Sequence, residues 1–146
     1  MLTRRVILPA ALVAGTVTTA VLAAAMDPDV RARQEAMGLV GSSMKKIAEM
    51  AKGERDFDAA TARAAFSRIA AKAALVPALF EVRSNYDPES EAKDAIWENW
   101  ADFAARAEDL RLAAEAGVEV DSLDALMVHL EPLTGACRAC HDLYKE

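Results

Sequence analysis

Aromatic residues are scarce in this chain, 5% of 146, and cysteine and histidine are scarcer still, two of each. Because 53% of the chain is nonetheless hydrophobic, the apolar content leans on alanine, which favours helix over strand. No segment reads as a strand. Two cysteines permit at most one disulfide, and a four-ligand zinc site would need soft ligands that the chain scarcely has. An excess of basic charge is also missing: the formal charge is −6 and becomes −8 once Arg4 and Arg5 are set aside. Such a surface repels nucleic acid and anionic lipid. There is no internal repeat, phosphate-binding loop, nucleophile–base pattern, paired-carboxylate site or Glu-x-x-His di-iron signature, so nothing points to an enzyme.

What is present begins with an address. Arg4 and Arg5 precede an uncharged apolar run from Val6 to Ala25, which ends in Ala23-Ala24-Ala25 before Asp27. This is the layout of a secretory signal peptide, so residues 1–25 are expected to be removed and residues 26–146 to form one domain in the periplasm. The alternative is an uncleaved membrane anchor. Pro9, Gly15, Thr16, Thr18 and Thr19 weaken the run as a span.

Four helical segments follow. Asp27-Pro28 suits a helix start, and Val30, Met37, Met44 and Ala51 recur every seven residues until Gly53. Asp58 can cap a second helix through Phe66, Ile69, Ala73, Val76 and Phe80, which Pro77 should bend or end early. A polar stretch from Arg83 to Ser90 reads as the longest loop. A third helix carries Ile96, Trp100, Phe103, Ala107, Leu110 and Ala114, with Gly117 as its stop. Asp121 or Ser122 caps a fourth, where Leu123, Leu126, Leu130, Leu133, Cys137, Cys140 and Tyr144 share a face, with a kink expected at Pro132. Four amphipathic helices with short connections specify an all-α antiparallel four-helix bundle. Trp97, Trp100, Phe103 and Phe66 are expected in its core.

Cys137-Arg138-Ala139-Cys140-His141 is a C-x-x-C-H pattern, the attachment signature of c-type haem. Cysteines three apart on a helix project from one face about 5 Å apart, where their sulfurs can add to the two vinyl groups along one porphyrin edge. His141, one turn beyond Cys137, can then reach the iron. A redox dithiol would instead sit at the start of a helix, where its thiol pKa is lowered. His129 lies about 18 Å away along an ideal helix, too far to join the site, and is expected on the surface.

With this motif on the last helix of a bundle, the chain resembles the cytochrome c′ family, the class II c-type cytochromes. The resemblance also runs through Arg33-Gln34-x-x-Met37, Ala51-Lys52-Gly53-Glu54, Ile96-Trp97 and Tyr144-Lys145, the last being Lys where many relatives carry Arg. It implies one covalently bound haem c, with Arg33 and Gln34 as haem contacts and Met37 facing the iron from the side opposite His141. Met37 is expected as a second axial ligand, as in low-spin members. Met44, two turns on, is a second candidate, and Met37 can also be an apolar cover over a free coordination position or plain core. Gly41 between them lets a flat macrocycle approach the helix. The expected role is single-electron transfer with periplasmic redox partner proteins. The alternative is a five-coordinate high-spin protein binding nitric oxide or carbon monoxide. The resemblance also makes a homodimer through the first two helices an expectation.

Overall fold

The computed structural model describes residues 25–146, so the expected leader lies outside the described residues apart from Ala25. Helix α1 spans Pro28–Ala51, α2 Ala59–Ala73, α3 Val76–Phe80, α4 Ala95–Glu98, α5 Trp100–Glu115 and α6 Leu123–Tyr144. The six group into four segments of a bundle: α1, α2 continued by α3, α4 continued by α5, and α6. Neighbours in sequence pack together, α1 on α2, α2 on α5 and α5 on α6. The bundle is closed by a looser meeting of α1 with α6. No membrane-crossing helix occurs among the described residues.

Caps set the helix starts. The Asp27 carboxylate accepts from the Asp29 and Val30 N–H groups, Asp58 caps α2 through Thr61 N–H, and Ser122, not Asp121, caps α6 through Ala125 N–H. Beyond α1, Gly53 takes φ 72°, which L side chains rarely adopt. The second expected helix breaks at Ala74-Leu75, and Pro77 falls in the first turn of α3, where its missing N–H costs nothing. The third departs from the expected single helix. Asn99, at φ −124° and ψ 45°, separates α4 from α5, and the Trp97 indole donates to the Phe80 carbonyl at 2.8 Å, tying α4 to α3. Pro132 does not interrupt α6, which runs unbroken past it.

The core has two parts. One surrounds Ile47, Phe66, Ile69, Leu126 and Leu133, with Met44 and Cys137 packed on its edge. The other surrounds Phe80, Ile96, Phe103, Ala107 and Tyr144, with Met37, Trp97, Trp100 and Cys140 on its edge. Phe66 and Phe103 are buried as expected, whereas Trp97 and Trp100 are only half-buried. His129 is half-buried too, correcting its expected surface position: its ring stands edge-to-face on Phe66 at 6.4 Å.

The segment between α3 and α4 is irregular yet held from several sides. The Asp87 carboxylate accepts from Met26, Asp27 and Glu89 N–H groups at 2.8, 2.8 and 2.9 Å, and Tyr86 donates to Asp27 at 2.7 Å. Its far end meets the end of α6: Ala92 bridges Lys145, and Glu146 N–H donates to the Glu91 carbonyl at 2.9 Å.

Candidate functional site

Between the two halves of the core lies a cavity of about 450 Å³. Its wall is mostly apolar, within the size range of cofactor sites. The last two turns of α6 supply Cys137, Cys140, His141 and Tyr144 to one side, and α1 supplies Arg33, Gln34, Met37, Gly41 and Met44 to the other. Every site residue expected from the sequence therefore lines one space. Helix spacing explains why: positions 137, 140, 141 and 144 share a face of α6, and 33, 37, 41 and 44 share a face of α1.

The two cysteines are free and half-buried. Burial pushes the Cys137 thiol up and the Cys140 thiol to about 11, the nearby Arg106 charge only partly opposing it. These are not activated thiols of the kind a redox dithiol needs. Burial of the cavity-facing side of His141, followed by the Lys145 charge, lowers its pKa and favours the neutral imidazole, the form that can ligate a metal. Among the described residues no cluster of three or more His, Cys, Asp or Glu side chains could hold an isolated metal ion. The donor set thus suits a metal that arrives inside a macrocycle: two sulfurs, one imidazole and an apolar slot.

On α1, a Cβ built on Gly41 meets nothing within 4 Å, leaving room for a flat group against the helix. Met37 packs against the Phe80 and Phe103 half of the core, Met44 against the other. Arg33 is 4% exposed, and its guanidinium donates to the carbonyls of Leu79, Ser84 and Val82 at 2.8, 2.8 and 2.5 Å. It also lies over the Phe80 ring, 4.4 Å from the centroid. Arg33 therefore lines the cavity while pinning the segment after α3. Gln34 donates to the Glu89 carbonyl at 2.8 Å and lies at the exposed rim.

Sequence reasoning missed Arg106, a cavity-lining residue whose guanidinium grips both Asp102 and the Ala139 carbonyl. Its only sequence signal is the i,i+4 spacing from Asp102, which reads as an ordinary solvated helix pair.

Known proteins resemble the chain in sequence and in fold. The family model described as Cytochrome C′ matches residues 29–145. Cytochrome c-556 of Agrobacterium fabrum is 35% identical over 119 residues, covering 80% of each chain. Cytochrome c′ of Rhodopseudomonas palustris is 32% identical over 137 residues, 92% of this chain and 94% of that one. The solved structure of a Rhodopseudomonas palustris cytochrome c′ superposes with TM-score 0.78 at 29% identity, covering 83% of this chain and 98% of the other.

Proposed function

The chain belongs to the cytochrome c′ family of mono-haem electron-carrier proteins with haem c as cofactor; from that premise we propose that it is a periplasmic single-electron carrier, its haem joined to Cys137 and Cys140, its iron ligated by His141 and, on the far side, by Met37. The observation that carries this is the cavity itself, where a C-x-x-C-H face and a methionine-bearing face look at one another across an apolar slot. Arg33 and Gln34 sit where they can contact the haem rim.

When bound, the haem supplies an iron that gains and loses one electron. The polypeptide does the rest. Cys137 and Cys140 would hold the group to α6 through their sulfurs and His141 through its imidazole, and the apolar walls of α1 and α5 would shield it from water. Met37, were its sulfur to ligate the iron, would raise the potential into the range of electron carriers. Arg33, spent on three carbonyls, holds the segment that walls one side of the site. With Arg4 and Arg5 removed in the leader, a surface of net charge −8 favours partners with a basic patch.

A second reading is a five-coordinate protein binding nitric oxide or carbon monoxide. One observation favours it: Met37 packs on the aromatic half of the core, so its side chain has a resting place off the iron. Optical spectra of the exported protein separate the two. The first reading expects one haem by intact mass, a low-spin ferric spectrum and no carbon monoxide adduct on reduction. It also expects Met37→Ala to become high-spin and gas-binding. A high-spin wild type that binds carbon monoxide would establish the second reading, and absence of the haem mass would end both.

A further inference from the structure

Beside the Lys145–Glu91 pair on its rim, the cavity wall carries Arg106, whose charge is paired with Asp102 just outside the lining, an arrangement that electron transfer as such does not require. Arg106 of α5 lines the cavity, with its side chain only 27% exposed. Its Nη1 donates at 3.1 Å to the carbonyl of Ala139, the residue just before Cys140 in the attachment motif. Its Nε and Nη2 donate to Asp102 Oδ2 and Oδ1 at 2.6 and 3.3 Å. The same Oδ2 accepts from the hydroxyl of Tyr144 at 2.6 Å, and Tyr144, one turn beyond Cys140, is 5% exposed. Three side chains thus bracket the segment that bears both cysteines and His141, and they do so with a cation and an anion of fixed place.

We propose that Arg106 is a positioning residue that clamps the attachment segment to α5, and that the Arg106–Asp102 balance sets how readily the site accepts its electron. This rests on the haem reading above. Uptake of one electron from a donor protein lowers the net charge of the site by one, so a neighbouring cation favours the reduced form and a neighbouring anion the oxidised form. Arg106 is 27% and Asp102 50% exposed, so water screens both charges in part, and what survives acts with opposite sign for the two. Arg106 and Asp102 nearly cancel. Removing either leaves the other uncompensated, and the two removals must therefore act in opposite directions. A purely mechanical clamp would behave otherwise, because losing either partner loosens the same contact.

Spectroelectrochemistry of the haem-loaded full chain provides the test. Arg106→Gln is expected to lower the ferrous-to-ferric ratio at a fixed potential on the order of tenfold, a midpoint shift of about −59 mV for one electron. Asp102→Asn is expected to raise the ratio, and the double variant to return to within about threefold of wild type. Arg106→Lys, which keeps the charge but not the two-pronged grip, should hold the midpoint within about threefold while lowering the thermal midpoint. It serves equally if the Gln variant does not fold, since a tenfold fall in the Lys variant would overturn the proposal. So would shifts of the same sign in Arg106→Gln and Asp102→Asn, or no shift in either. A wild-type protein without haem would instead remove the function proposed above, a result read from its mass before any potential is measured.

Discussion

Gly117 lies where the chain leaves α5, and a Cβ built there would stand 2.3 Å from the Phe66 ring. Phe66 is fully buried, so the ring has nowhere to retreat. Gly117→Ala is expected to destabilise the protein by about 1–3 kcal/mol, measured by urea unfolding, and the loss should shrink in a Phe66→Leu background. The sequence suggests this glycine only as a helix stop; its use as space for an aromatic ring depends on a partner 51 positions away. Arg33 is similar. Its place on the cavity-facing stripe of α1 was legible, but its carbonyl partners are Leu79 in α3 and Val82 and Ser84 in the segment after it. Arg33→Leu should free that segment and cost more than about 2 kcal/mol, with faster amide exchange confined to residues near 79–84 as the check. That Cys137, Cys140 and His141 share one helix and one cavity wall was legible, because their spacing and the helix that carries them are both local facts.

At the scale of elements, the helix starts depend on carboxylates. Asp27 caps α1 and Asp58 caps α2, while Asp87 ties the segment after α3 to the residues before α1. Their carboxyl groups are held below the ordinary carboxylate range. For Asp27 the first cause is the Tyr86 hydroxyl, for Asp58 Thr61, and for Asp87 the backbone N–H of Asp27. A carboxyl lowered in the fold contributes stability that is complete above its unfolded pKa, near 3.8, and is lost as pH falls through the lower folded value. The melting temperature is therefore expected to stay level between about pH 6 and 5 and to fall below about pH 4, with Asp87→Asn flattening the fall. Calorimetry across that range checks it. Periodicity and caps made α1, α2 and α6 readable in advance. They could not reveal the break at Asn99, because three-four alternation survives it, and the Trp97 bond to Phe80 beside it is a contact between elements.

For the molecule as a whole, the cavity dominates the energetics. Left without its cofactor, a space of about 450 Å³ leaves the apolar faces of α1, α5 and α6 unpacked against one another, so the haem-free chain is expected to lose much of its stability. The chain carrying both Cys137→Ser and Cys140→Ser, made free of haem, should keep its far-ultraviolet circular dichroism and lose its near-ultraviolet signal. A sharp, cooperative melt in that protein would contradict the expectation. The four-helix layout was legible from the stripes alone. The size of the space between α1 and α6 was not, since patterning shows which faces turn inward and not how far apart they stand.

The looser meeting of α1 with α6 also governs how the protein is made. A newly synthesised polypeptide without a pigment in this seam is expected to be pliable and open to proteolysis, which limited digestion with and without the pigment checks. Its abundance in a cell will follow the supply of that pigment more closely than the supply of its message.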